Sequence, residues 1–408
     1  MADIRPFRGL RPRNDLADRI IAPPYDVLSE DEARAIAGPN PYSFLHVTRP
    51  EVDLAEGVDS HGPLAHAKAR ENLDSFRNNG WMVQDETPCF YLYRQTWKGR
   101  TQTGLMAACS VSEYDEGLIK RHELTRPDKE QDRVDNMEAL DAQPGLVFLA
   151  YRDTSADIRE AMKLASALTP AWTVTTDDAV EHTLTVVDNP AVVEQLQAAF
   201  ADHGCLYVAD GHHRSAAASR VCGARNAAGT SGRFLAGLFP DSELEVLAYN
   251  RVVRDLNGHT ASEFMKALSA FFIVTPASTS RPTRRGRWTM YMTGQWFELT
   301  AKDGVVPDSD PVGCLDVAVL QDRVLGPLLG IENPRTDQRI SFVGGIRGHK
   351  ALSKRVDRGD AMVAFHMYPT GMDQLFDVAD ANKLMPPKST WFEPKLRGGV
   401  VLHRIAED

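Results

Sequence analysis

Hydrophobic and polar positions along this chain alternate between two periods. Over 63–80, "PLAHAKARENLDSFRNNG", Leu64, Ala67, Leu73 and Phe76 recur at helical spacing, and Gly80 ends the run. Pro23 and Pro24 favour an extended segment, and Ser29 is placed to cap a helix over "EDEARAIA". "CFYLYRQTW" and "TQTGLMAACSVSEY" read as paired strands. A very polar segment, "KRHELTRPDKEQDRVDNMEALDAQPG", then runs into the apolar strand "LVFLAY". Residues 185–275 alternate strands with helices. Thr293-Gly294 between "GRWTMYM" and "QWFELT" marks a hairpin. "CLDVAVLQDRVLGPLLGI" reads as an amphipathic helix ending near Gly330, "AMVAFHMYP" as a buried strand, and "GMDQLFDVADANKL" as a helix leading to "MPPKSTWFEPKLRGGVVL". The pattern predicts a mixed α/β chain of the α+β kind, without internal repeats.

Length and composition narrow the classes. The 408 residues are long for one core, so two domains are expected. The division is placed between an N-terminal α/β region, 1–115, and residues 116–408. A net charge of -10 argues against a broad nucleic-acid footprint, which needs clustered cations. The basic run "RPTRRGR" at Arg281–Arg287 reads as a solvated loop before a strand. No apolar run approaches the roughly 18 residues of a membrane span, and "MADIRPFRGLRPRND" has no apolar signal-peptide core. The five cysteines, Cys89, Cys109, Cys205, Cys222 and Cys314, are scattered and form no CxxC pair. That argues against a disulfide framework or a cysteine zinc site and fits a reducing cytoplasm.

Three stretches concentrate polar chemistry. In "YVADGHHRSAAASR", Tyr207–Arg220, a short strand turns into a helix of small residues. Gly211 permits an unusual backbone angle at the junction. A helix N-terminus offers free N–H groups and a positive dipole end, so it suits an anion. His212, His213 and Arg214 add donors, and Asp210 could orient a histidine or hold a magnesium ion beside phosphate. A capped helix with surface histidines would use the same residues. A zinc site lacks an HxxxH or cysteine partner nearby. In "IKRHELTRPDKEQDR", Glu123 stands among Lys120, Arg121, His122 and Arg126; a carboxylate among cations could accept a proton from a hydroxyl, and a salt-bridged surface segment is the other reading. In "MPPKSTWFEPK", Lys388, Ser389 and Thr390 offer an ammonium and two hydroxyls suited to phosphate, without the glycines of a Walker loop, or form a rigid loop. Tyr25, Asp26, His46 and Arg49 are further polar candidates, and "GGIRGHK" at Gly344–Lys350 is either an anion nest or a surface turn.

These stretches, in this order, resemble the free serine kinases of the ParB/sulfiredoxin-like superfamily: "HE" at His122-Glu123, "DGHHR" at Asp210–Arg214, and "PKST" at Pro387–Thr390. "RPFRGLRP", "APPYDV", "NPYSFLHVTRPE" and "MPPKSTWFEPKL" resemble the hallmarks of the domain of unknown function 1015, which brings no established activity. The kinase resemblance implies a ParB/sulfiredoxin-like nucleotide-binding core and a phosphotransferase using ATP or ADP with Mg2+. The acceptor would be free serine or a related small hydroxyl amino acid, and the reaction could run in either direction. It implies that Glu123 is the base, with His122 beside it and Asp210 near the metal or donor phosphate. Gly211, His212, His213 and Arg214 would line the nucleotide phosphates. Tyr249 would contact the amino acid, and Lys388, Ser389 and Thr390 would hold its phosphate. Residues 1–115 have no counterpart in the small kinases; closing over the site, binding a different acceptor and forming a homodimer are the roles open to them. A ParB-like nucleotide switch and a non-catalytic scaffold are the competing functions. A sulfiredoxin-like reductase would need a cysteine where His212 stands.

Overall fold

The computed structural model describes residues 2–307 and 309–405. Its contacts divide the chain into two compact units: Met1–Leu244 with Pro394–Asp408, and Glu245–Glu393. The architecture is mixed α/β with several sheets. Among the described residues no helix is long and apolar enough to cross a membrane.

The first unit is built on a nine-stranded sheet. From one edge, its strands are Ile119–Lys120, Leu206–Asp210, Val147–Tyr151, Arg233–Pro240, Arg100–Ser110, Phe90–Trp97, Glu181–Val187 and Trp172–Thr175; Ile4–Arg5 also pairs with Arg100–Ser110. Strands from 1–115 and from 116–244 therefore share one sheet. The paired strands expected at 89–114 form with Tyr91 opposite Met106 and Trp97 opposite Arg100. Leu92, Leu105, Leu149, Val208, Phe234 and Leu238 are buried in one core. The strand Leu206–Asp210 runs parallel to Ile119–Lys120, with Leu206 opposite Ile119 and Tyr207 opposite Lys120. Two parallel strands leave a sheet at the same end. His122-Glu123 and the Asp210–Arg214 corner are thereby delivered to one place.

Helices form where the pattern and caps indicate. Ser29 caps Glu30–Ala37 in a reciprocal box with Glu32. The helix Pro63–Asn78 forms as expected, but its buried face is Ala65, Ala69, Leu73 and Phe76, while Leu64 is 68% exposed. Leu73 and Phe76 set the face, and counting back by turns reaches the alanines instead of Leu64 and Ala67. A four-stranded sheet of Met82–Gln84, Gly9–Pro12, Leu402–Arg404 and Ala142–Gln143 ties the C-terminal tail into this unit.

The second unit carries a six-stranded antiparallel sheet in the order Phe272–Pro276, Gln295–Ala301, Arg287–Met292, Val363–His366, Tyr249–Val253, Ile340–Gly344. The expected hairpin turns at Thr293 and Gly294, both with positive φ, as its two-residue loop requires. The helix expected over 314–331 is α-helical only over Asp316–Leu320 and continues as a wider π-turn over Gln321–Leu325. Gly326 and Pro327 follow directly, and Pro327 has no N–H to extend an α-helix. Arg281–Arg287 does contain a loop before a strand, with Arg285 paired to Asp373.

Candidate functional site

The corner that opens the helix His212–Ala224 is made by one residue. Gly211 has φ +95°, in the left-handed region that costs other residues roughly 1–2 kcal/mol. A Cβ there would stand 3.4 Å from Val147 Cα and Arg214 Cζ, which is ordinary contact. Backbone strain, not a clash, therefore sets the cost of a side chain. Gly211→Ala is expected to lose about 1 kcal/mol, read as a lower thermal midpoint; an unchanged midpoint would contradict this account of the corner.

Beyond Gly211 the side chains fan out. His212 is buried and its ring meets that of His122 edge to face, with centroids 4.5 Å apart. The His122 backbone N–H approaches His212 Nε2 at 3.5 Å. A carboxylate oxygen of half-buried Glu123 and one ring nitrogen from each histidine all lie within 4.8 Å of one another. Burial pushes the His122 ring down to about 4; a backbone hydrogen bond at Val208 and the charge of Asp210 only partly oppose this. Burial, and then neighbouring His122, drive His212 well below its ordinary value. Both rings are neutral near pH 7. Although His122 is 2% exposed, its Nδ1 has no hydrogen-bond partner.

The other two residues of the motif turn elsewhere. His213 Nε2 accepts the Arg126 backbone N–H at 3.0 Å. Arg214 Nη1 donates to the Leu146 carbonyl, and its Nη2 lies 3.8 Å from Asp26. Its Cδ would be only 3.3 Å from a Cβ at Gly145, so the absence of a side chain there gives the arginine room. Arg214 lines a cavity of about 40 Å³ together with Tyr25, Arg133, Asn136 and Arg397. Tyr25 lies beneath the Arg133 guanidinium, 4.3 Å from ring centre to Cζ. Of the early polar candidates, Tyr25 and Asp26 thus lie beside Arg214. His46 hydrogen-bonds Asp53 at 2.9 Å, and Arg49 donates to the Tyr25 and Leu28 carbonyls.

Asp210 Oδ2 accepts from Lys395 Nζ at 2.8 Å. Burial would raise this carboxyl, but the charges of Lys395 and Arg214 outweigh it and hold the group well below the usual carboxylate range. Sequence reasoning overlooked Lys395. It lies in "MPPKSTWFEPK", where Lys388 beside Ser389 and Thr390 carries the stronger phosphate signal. Arg133 and Arg397 were missed as well, because isolated arginines in polar segments carry no distinguishing pattern. The cations expected around Glu123 also have other neighbours: Arg121 lies over Tyr114 at 4.9 Å, Lys120 over Tyr207 at 5.9 Å, and Arg126 pairs with Asp128 at 2.7 Å.

Tyr249, Lys388, Ser389 and Thr390 belong to the second unit. Lys388 is exposed, takes a positive φ of 59°, and places its Nζ 5.5 Å from the Tyr249 ring centre. Ser389 is buried and its hydroxyl donates to the Pro386 carbonyl at 2.6 Å. Arg251 fastens this loop to the neighbouring strand by donating to the carbonyls of Tyr249 and Pro387.

No curated protein matches the chain. Among solved structures, a mutant free serine kinase in complex with AMP is 10% identical, covering 71% of this chain and 87% of that one, with a TM-score of 0.36. A C-terminally truncated SbnI from Staphylococcus aureus is 11% identical, covering 72% and 85%, with a TM-score of 0.39. A conserved hypothetical protein from Pyrococcus furiosus is 11% identical, covering 71% and 90%, with a TM-score of 0.33. The family model described as "Protein of unknown function (DUF1015)" matches residues 4–318, and the chain belongs to that family.

Proposed function

We propose that this protein is a phosphotransferase on a ParB/sulfiredoxin-like core. It would move a phosphoryl group between ATP or ADP and the hydroxyl of free serine or a related small hydroxyl amino acid, in either direction. The observation that carries the reading is the position of Glu123. Its carboxylate lies within 4.8 Å of a ring nitrogen of His212, on the first turn of the helix that Asp210 and Gly211 introduce. The motif resemblance to free serine kinases points to the same residues.

In this proposal the substrate oxygen attacks the terminal phosphorus of the nucleotide, the bond from that phosphorus to the bridging oxygen breaks, and Glu123 accepts the hydroxyl proton. Neutral His122 and His212 beside it add no positive charge that would weaken it as a base. The free N–H groups at the helix start and the guanidinium of Arg214 supply positive potential for phosphate oxygens. His213 and Gly211 contribute to the same turn. Lys395 neutralises Asp210, which would otherwise repel a polyphosphate. For Tyr249, Lys388, Ser389 and Thr390, which belong to the second unit, a role in holding the amino acid and its phosphate rests on the motif resemblance alone. The positive φ of Lys388 is the kind of backbone strain that gathers at binding loops.

A resident magnesium ion on Asp210 does not fit the donor set. Magnesium requires a near-octahedral shell of oxygens, and the carboxylate proposed for it is paired with an ammonium group. No step is therefore assigned to such an ion. The test is to incubate the full chain with serine, ATP or ADP and a magnesium salt, and to look for phosphoserine by mass spectrometry, then to run the reverse reaction from phosphoserine. Product in either direction supports the reading. No turnover of serine, threonine or their phosphates with either nucleotide overturns it.

A further inference from the structure

We propose that His122, Glu123 and His212 form a site for one divalent transition-metal ion of the zinc class. Three observations support it. The donor atoms converge: one nitrogen of each ring and a carboxylate oxygen lie within 4.8 Å of one another. Ligands about 2.0–2.2 Å from a tetrahedral ion stand roughly 3.4 Å apart, so only a small inward movement is needed. Ordered elements flank the donors. His122 and Glu123 follow a strand paired in parallel with Leu206–Asp210, and His212 opens the helix after it. The third observation is a buried atom without a partner. His122 Nδ1 has no hydrogen bond although the residue is 2% exposed, and leaving such an atom unsatisfied costs about 1–3 kcal/mol. A cation held by that nitrogen would supply the missing partner.

The donor types choose the metal class. Imidazole nitrogen with one carboxylate suits zinc, cobalt or nickel, whereas magnesium and calcium take oxygen shells. Three protein ligands would leave a coordination position open for water or an incoming oxygen. The two histidines are 90 positions apart in the chain, so local spacing gives no metal motif. One consequence rests on the phosphotransferase reading: with the ion bound, Glu123 is committed to it and cannot also take the hydroxyl proton, so zinc would inhibit transfer. The binding site itself does not depend on that reading.

The test uses the full chain stripped with a chelator, incubated with Zn2+ alone or Mg2+ alone, desalted, and assayed for metal. Wild type is expected to retain about one zinc per chain, in keeping with one three-ligand site, and no magnesium. His122→Ala and His212→Ala should each weaken zinc binding by at least about 100-fold, with folding checked by thermal melting. His213→Ala, which removes a ring outside the cluster, should leave zinc affinity unchanged. If either variant fails to fold, wild type loaded with Co2+ decides the matter: two hyperfine-shifted imidazole signals are expected in its proton NMR spectrum. Wild type that retains neither zinc nor cobalt, zinc affinity unaltered in both histidine variants, or fewer than two imidazole signals would overturn the site. Zinc uptake by a chain that makes no phosphoserine when freed of zinc and supplied with magnesium keeps the site and removes the kinase reading. Phosphoserine formation without zinc uptake does the reverse.

Discussion

Glu123→Gln is expected to lower phosphoserine formation by about 100- to 10,000-fold, the usual contribution of a positioned general base, while nucleotide affinity changes little. The amide keeps the size and shape of the carboxylate but cannot take the hydroxyl proton. His122 and His212 are buried, and burial disfavours the positive charge that either ring would gain by taking the proton. The decisive measurement is the split between kcat and nucleotide Kd. A variant that turns over at the wild-type rate would remove Glu123 from the reaction. A variant that loses nucleotide binding in step with turnover would make Glu123 a structural member of the pocket instead of its base.

The second large effect is expected at Lys395→Met. The methionine keeps the length of the chain and leaves the Asp210 carboxylate without the ammonium that lies 2.8 Å away. Removing one partner of a fully buried pair costs about 3–5 kcal/mol. Here the side chains keep 23% and 35% of their exposure, so water screens part of the loss and roughly 2 kcal/mol at neutral pH is expected. The pH dependence has a definite sign. The folded carboxyl is held below its unfolded value, which is about 3.9 for a free aspartate. The stabilisation is therefore present above that value and is lost as the pH falls toward the depressed one. Urea denaturation of the two proteins should show a gap that is widest near pH 7 and narrows as the pH drops through about 4. A gap that stays constant would mean that Lys395 acts through packing of its aliphatic stem.

Some of the site was legible from local rules. Gly211 could be read as a positive-φ corner, because an acid, a glycine and a polar turn stand between an apolar strand and a small-residue helix. Ser29 announced its cap through Glu32 three residues later. Thr293-Gly294 announced its hairpin through the alternation on either side. In each case the cause lies within a few residues, where dihedral preference and short-range hydrogen bonds operate.

The partners in the site were not legible in the same way. Nothing near Asp210 in the chain says that its counter-ion is Lys395, 185 positions later. Nothing near His212 says that its ring will meet His122. The helix at 63–78 makes the same point on a smaller scale: Leu64 is as apolar as Leu73, and only the surface it packs against decides that the first faces water and the second the core. Local pattern sufficed for a mixed α/β chain, the turn at Gly211 and the chemistry carried by DGHHR and HE. Which acids, bases and cations share a site emerges only on folding. Strand pairing and core burial choose those neighbours over hundreds of residues, and they act on exposed surface area and backbone hydrogen bonds, which leave no local mark on the polar side chains they bring together.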